Sequence, residues 1–251
     1  LFSMKLKKFF ILNNYARVYK QKIYRPMAVN RLIKKQVHEA DFHYIWQIEN
    51  SVQYAPSFDM TSYSIFGYQL DLTRDLSWQK DYISGFTYPM QRFDKLAISK
   101  WFNQGIDIKF PWELSRFHFA VKLGQCFLKT KNESYYEQFK RLIIDWIESN
   151  PFCYGVNWRC TMEVAIRAVN WIVAVNLFKC LFAKDKLFKA TVLKSLVQHA
   201  MYIYRFPEIY EKKHTTNHTV ADYAGLFFLA LSIKEHPKSG TWQKQALVGL
   251  E

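Results

Sequence analysis

The sequence predicts a mainly α-helical domain built of antiparallel helical hairpins, and three observations predict it. From residue 112 onward, apolar residues recur at spacings of three and four, the period of a helix face. The breaks between these stripes are short, which folds each helix back on its neighbour. Glycine is scarce, eight in 251 residues, and no Pro/Ser-rich run occurs, which argues against disorder and against a turn-rich β-sandwich. Successive hairpins make either an open solenoid or a closed (α/α) toroid. No sequence repeat of about 34 or 40 residues is found, which weakens the solenoid.

Taken in order, residues 4–35 read as basic helical segments broken at Pro26. Residues 40–100 are irregular and aromatic, with Pro56, Gly67, Gly85 and Pro89 as breakers. Short strands are expected within 63–72, where β-prone residues sustain no helical period. The first firm helical stripe is Leu114, Phe117, Val121, Gly124 and Leu128, closed by a polar break at 129–132. The second is Tyr135, Phe139, Leu142, Ile143, Trp146 and Ile147, ended by Asn150-Pro151. A third helix is expected over about 161–182, with Thr161 as its cap and Glu163 favourably placed in its first turn. A fourth covers about 187–204 and stops before Pro207; a fifth covers about 219–234. The third and fifth are apolar nearly all round, the mark of helices inside a larger helical body.

A chain of this length forms one large domain or most of one and can bury a sizeable core. The division expected is a basic arm over residues 1–40 and a helical domain over 41–251, cut short at its C-terminal end. Thirty-five Lys/Arg against twenty-one Asp/Glu give a net charge of +14, which attracts polyanions. Ten of those cations, with one acid, lie in residues 1–40, so much of the excess belongs to the arm. Aromatic residues make up 18% of the chain, and flat rings floor both sugar and base grooves. Charge and aromatics alone also fit a helical nucleic-acid binder, but no such motif is recognised and no nucleic-acid partner is expected.

Cys126, Cys153, Cys160 and Cys180 form no CxxC pair, so buried thiols are expected and no disulfide or zinc framework is implied. No run approaches the roughly 18 apolar residues of a membrane span. The start at Met4-Lys5-Leu6-Lys7-Lys8 opens like a signal peptide, but its apolar core ends at Asn13, short of the roughly 7–15 residues such a core needs. Contact of the basic arm with a membrane surface is compatible with this pattern. Leu1-Phe2-Ser3 ahead of the first methionine, and a helical pattern running to Glu251, point to an incomplete frame.

Two segments carry chemistry. Residues 157–171 pack indole, amide, guanidinium and carboxylate groups onto one helix, more than core filling requires. About sixty residues later comes His214-Thr215-Thr216-Asn217-His218. His214 and His218 are spaced as a helical metal pair, but Thr215 stands where a metalloprotease has its glutamate and no third ligand is evident. Asn217-His218 reads either as a helix start with a surface imidazole or as a site. Glu163 and Arg167 read either as an ion pair one turn apart or as groove residues. Trp158 and Trp171 fit core or sugar platform, and Arg116 and His118 remain open.

An ordered set of motifs bears on one of these alternatives, the Asn217-His218 pair. Trp112-Glu113-Leu114-Ser115-Arg116, Asp145-Trp146-Ile147-Glu148-Ser149-Asn150-Pro151, Gly155-Val156-Asn157-Trp158, Thr161-Met162-Glu163-Val164-Ala165-Ile166-Arg167 and Asn217-His218 follow one another as in the heparinase II/III family. The chain resembles the N-terminal helical domain of those polysaccharide lyases, which include alginate and heparan-sulfate lyases. The segment Trp78-Gln79-Lys80-Asp81, with Ser84-Gly85 and Tyr88-Pro89, is similar to a branch found with surface-polysaccharide genes. The likeness covers roughly residues 75–235.

The resemblance implies an incomplete (α/α) toroid, with the family's C-terminal β-sandwich absent from this chain. It implies β-elimination on a uronic-acid polysaccharide of the heparan-sulfate or alginate kind, without cofactor or metal. Asn217 would bind the uronate carboxylate and His218 would move the proton. Trp158, Arg159, Glu163, Arg167 and Arg116 would line the substrate groove. The usual setting of the family is periplasmic or secreted; the defective leader leaves the cytoplasm open. The family's catalytic tyrosine lies some tens of residues after the pair and has no counterpart here, because Tyr223 is too close, one turn into the same helix, and no tyrosine follows it. The fragment alone is therefore expected to be inactive. The alternative is a non-catalytic module that binds acidic glycan in a surface-polysaccharide system.

Overall fold

The computed structural model describes residues 41–45, 58–209 and 216–251. The basic arm, its helical segments and His214 lie outside the described residues. The fold is mainly α-helical, as the periodicity predicts. The expected strands form one small antiparallel hairpin, β1 (Tyr63–Ile65) and β2 (Tyr68–Leu70), turned at Phe66 and Gly67, which both have positive φ.

The helices are α1 (Ile98–Phe102), α2 (Lys109–Ser115), α3 (His118–Thr130), α4 (Ser134–Ser149), α5 (Thr161–Leu177), α6 (Lys179–Phe182), α7 (Lys186–Arg205), α8 (Asn217–Ser232) and α9 (Ser239–Leu250). Contact pairs α3 with α4, α5 with α7 and α8 with α9, each across a short connection or a loop. Helix α5 is the hub and packs against α2, α3, α7 and α8. Its all-round apolar surface is thereby explained. At the α5–α8 crossing, Gly225 lies so close to Ala165 that an added Cβ would sit 2.6 Å from the alanine methyl.

Two helices stop where the periodicity runs on. The stripe over 114–128 is broken at Phe117, which adopts the left-handed conformation (φ 62°) and is wholly buried. A non-glycine residue held there costs energy that the surrounding packing must offset. Phe117 stacks on Trp78 at 5.2 Å and meets Trp171 edge-on at 5.3 Å. The third helix ends at Phe178, whose ring stacks on Phe139 at 5.1 Å. Periodicity passes smoothly through both residues because each is apolar and inward.

A buried polar clamp fixes the loop ahead of α5. The Gln79 amide donates to Asn150 Oδ1 (2.6 Å), and Asn157 donates to both Asn150 Oδ1 and the Trp78 carbonyl (2.8 Å each). The Val156 N–H donates to Gln79 Oε1 at 2.9 Å. Gly155 makes this approach feasible: its φ is +81°, and a Cβ there would lie 2.5 Å from Gln79 Oε1. Mutually hydrogen-bonded buried amides of this kind specify one geometry. The motif residues Trp78-Gln79, Asn150 and Asn157 thus meet in space as a brace that sets where α5 begins.

Candidate active site

The start of α5 is satisfied by a distant residue. Cys160 is the N-cap and makes no side-chain cap; the expected cap, Thr161, instead donates its hydroxyl to the Phe206 carbonyl at 2.6 Å. Glu208, just past the end of α7, fills the role: its Oε2 accepts from the Met162 N–H at 3.2 Å. A carboxylate at a helix N-terminus satisfies free N–H groups and suits the helix dipole. The same oxygen accepts from the Cys160 thiol (3.4 Å) and from His218 Nδ1 (2.8 Å).

Glu208 is itself held by α8. Its N–H donates to Asp222 Oδ2 at 2.6 Å, and its carbonyl accepts from the Thr219 hydroxyl at 2.8 Å. Burial, then the nearby Glu208 charge, pushes the Asp222 carboxyl up to about 8. Asp222 is therefore held largely protonated at neutral pH. A group raised in this way contributes stability that is full below its ordinary value of 3.8 and is lost as pH rises towards 8.

Helix α8 begins with a capping box in which Thr216 and Thr219 exchange bonds. Asn217 is thus not the cap; it occupies the first helical position and is exposed. The His218 side chain is 30% exposed while its Glu208 partner is 5% exposed. The ring is tied through Nδ1 to the buried carboxylate, and the side chain as a whole is partly exposed. The hydrogen bond it donates to Glu208 holds the imidazole above its ordinary 6.5, against the opposing effect of burial.

Arg116 and Glu163 complete the neighbourhood. Arg116 Nε and Nη2 donate to the two oxygens of Glu163 at 2.7 and 2.8 Å, and Nη1 donates to Glu113 at 2.7 Å. Glu163 is buried at 2% while Arg116 is 25% exposed, so the guanidinium brings the cation to the surface. Both charges act on His218. The left-handed turn at Phe117 sets Arg116 and His118 on either side of a break; Asn170 donates to the Arg116 carbonyl at 2.7 Å and lies 3.2 Å from His118 Nδ1. His118 is pulled below its ordinary value, by burial first.

Two of the remaining expected groove residues, Trp158 and Arg167, are buried in the core. Trp158 is 1% exposed, donates to the Asn150 carbonyl and packs against Phe152, His199 and Tyr202. Arg167 is fully buried, 4.1 Å from the centre of the Trp146 ring and 5.4 Å from that of Trp158. It does not pair with Glu163 along the helix; Glu163 turns to Arg116, and Arg167 donates to His199 Nε2 (2.9 Å) and the Asn157 carbonyl (3.2 Å). Trp158 and Arg167 offer no surface to a glycan, because the hub helix is enclosed and these side chains face its interior. Arg159 is half-buried beside Trp158. Trp171 is core, as one of its two readings had it.

Glu208 escaped the sequence reading. Its only signal is a carboxylate directly after Phe206-Pro207, where a helix must end. Nothing in spacing connects it with residues 160 and 218. None of the four cysteines forms a disulfide, and Cys126, Cys153 and Cys160 are buried. Among the described residues, no helix is long and apolar enough to cross a membrane.

Comparison with known proteins agrees with this architecture. The family described as Heparinase II/III N-terminus matches residues 12–251, farther in both directions than the sequence motifs alone. The fold is similar to a crystal structure of a mutant of heparan sulfate lyase HepC from Pedobacter heparinus, with a TM-score of 0.55 and 15% identity over 89% of this chain. The chain spans about a third (34%) of the length of that lyase. No curated protein matches the sequence significantly. Matched over nearly all of its length, the chain belongs to the heparinase II/III family, of which it carries the N-terminal helical domain.

Proposed function

We propose that this domain forms one wall of the cleft of a polysaccharide lyase acting by β-elimination on a uronic-acid polymer, within an incomplete (α/α) toroid over residues 41–251. The observation that carries the reading is the His218–Glu208 pair beside exposed Asn217 and the half-open Arg116. β-Elimination removes the proton alpha to a carboxylate, whose own charge resists a second negative charge. The Asn217 amide donates to that carboxylate as the charge grows, aided by the positive N-terminal end of α8. His218 donates from Nδ1 to Glu208, which leaves Nε2 as the proton acceptor. Glu208 strengthens that base.

Arg116 supplies the positive potential for a polyanion, with Glu163 and Glu113 fixing the plane of its guanidinium. Trp158 and Arg167 support the wall from behind. Tyr223 is not assigned as the general acid: it is 7% exposed and packs against Gly249 of α9. The acid is assigned to a part of the lyase outside this domain. On this proposal the protein works in the periplasm or outside the cell, where such polymers lie, and the basic composition of residues 1–40 suits anionic surfaces.

The test is formation of unsaturated uronate, followed by ultraviolet absorbance, with alginate, heparan sulfate and related polymers and the full-length product of this reading frame. The expected result is turnover on one uronate polymer, lost in His218→Ala. The acidic limb of its pH profile should lie above 6.5, the ordinary histidine value. No product from any uronate polymer overturns the catalytic reading. Glycan binding that persists unchanged in an Asn217→Ala/His218→Ala double variant supports a non-catalytic glycan module instead.

A further inference from the structure

Cys160, Glu208 and His218 come from three separate elements: the N-cap of α5, the segment after α7 and the first turn of α8. Their donor atoms form a compact triangle, with Sγ to Oε2 3.4 Å, Sγ to Nδ1 3.9 Å and Nδ1 to Oε2 2.8 Å. Around a tetrahedral zinc, with bonds of about 2.3 Å to sulfur and about 2.0–2.1 Å to nitrogen or oxygen, neighbouring donors lie roughly 3.3–3.6 Å apart. The triangle reaches that geometry if the nitrogen–oxygen edge opens by about half an ångström and the sulfur–nitrogen edge closes by a few tenths. A hydrogen-bonded Glu–His pair alone has no need of a thiol at this distance.

We propose that Cys160, Glu208 and His218 form a three-ligand zinc site at the junction of α5 and α8. Thiolate, imidazole and carboxylate are all zinc donors, and three protein ligands leave a fourth position for water. Of the three ligands, Cys160 and Glu208 are buried and His218 is partly exposed. On binding, the Cys160 thiol gives its proton to solvent and a sulfur–zinc bond forms; no electron is transferred. Zinc on Nδ1 leaves the hydrogen of the imidazole on Nε2, a form that donates a proton but does not accept one. The zinc-loaded state and the proton-accepting state of His218 exclude each other. The inference therefore stands apart from the lyase reading and is tested without turnover.

The experiment is a titration of the chelator-stripped chain with cobalt(II), then zinc(II). One equivalent of cobalt should produce a thiolate-to-cobalt charge-transfer band and the visible bands of tetrahedral cobalt, and one equivalent of zinc should bleach both. Cys160→Ser should abolish the charge-transfer band, and His218→Ala should weaken zinc binding by about tenfold or more. Cys180→Ser removes the exposed thiol and should change neither. X-ray absorption of the zinc-loaded wild-type chain covers the case of a variant that does not fold: one sulfur with nitrogen or oxygen neighbours is expected. Absence of the charge-transfer band, its persistence in Cys160→Ser, or a sulfur-free zinc shell overturns the proposal.

Discussion

The two ends of the α5 neighbourhood use the same side-chain types in opposite ways. In the core, Arg167 lies between Trp146 and Trp158 and donates to His199, whose Nδ1 in turn donates to the Ser195 carbonyl at 2.7 Å. At the surface, Arg116 meets Glu163 and Glu113, and His218 meets Glu208. Burial drives His199 well below its ordinary value and lowers Arg167 to about 9, still charged at neutral pH. Carboxylates drive Arg116 and His218 upward. Without an acid, the buried arginine and histidine brace the core; with acids beside them, the arginine and histidine nearer the surface are held charged more readily.

The largest effect should come from breaking the strut. Arg167→Ala leaves a cavity and strips His199 and the Asn157 carbonyl of a donor, and should cost about 3–5 kcal/mol in chemical denaturation. Arg116→Ala should cost less, about 2–3 kcal/mol, because Glu163 is left buried without its cation but water can reach the gap. Only the second change should weaken binding of acidic glycan by protein that remains folded. A glycan defect in folded Arg167→Ala as large as in Arg116→Ala would erase the distinction between the two regions.

Gly225→Ala probes the crossing that holds the regions together. Its methyl would press on Ala165, and a loss of about 1–3 kcal/mol in thermal or chemical unfolding is expected. An unchanged midpoint would mean that α5 and α8 separate easily.

The histidines should differ in their titration. By NMR, His218 should titrate above 6.5 and fall back towards it in Glu208→Gln, whereas His199 should stay neutral through that range. The stability that His218 contributes is full below its unfolded value and is lost as pH rises through its higher folded value. His199 acts in the other sense: its neutral, buried form favours folding above its unfolded value, and that advantage is lost as pH falls. Identical titration of the two would refute the contrast. Smallest of all should be Asn217→Ala, within about 0.5 kcal/mol in stability because the residue is exposed, yet with reduced uronate binding.

Much of the fold was legible because helices announce themselves locally. The stripe of residues 135–147 is α4 and the expected fourth helix is α7, within two residues at each end. Phe117 and Phe178 were not legible as breaks, since an inward phenylalanine satisfies the helical period whether or not the helix continues through it. The site was half legible. Asn217, His218 and Arg116 carry the family pattern and sit at the surface, while Trp158 and Arg167 carry it equally and sit inside. A motif records which residues matter and is silent on which way they face.

Periodicity and ordered motifs are properties of the string, so the helical class and the family could be read from it, and it singled out Asn217-His218 as the pair proposed to act. Only the tertiary structure decided that Glu163 pairs with Arg116 across forty-seven positions rather than with Arg167 one turn away. It also decided that Glu208 and Cys160 belong with His218. Those choices follow from how α5, α7 and α8 pack, and packing brings together residues whose separation along the chain carries no trace of it.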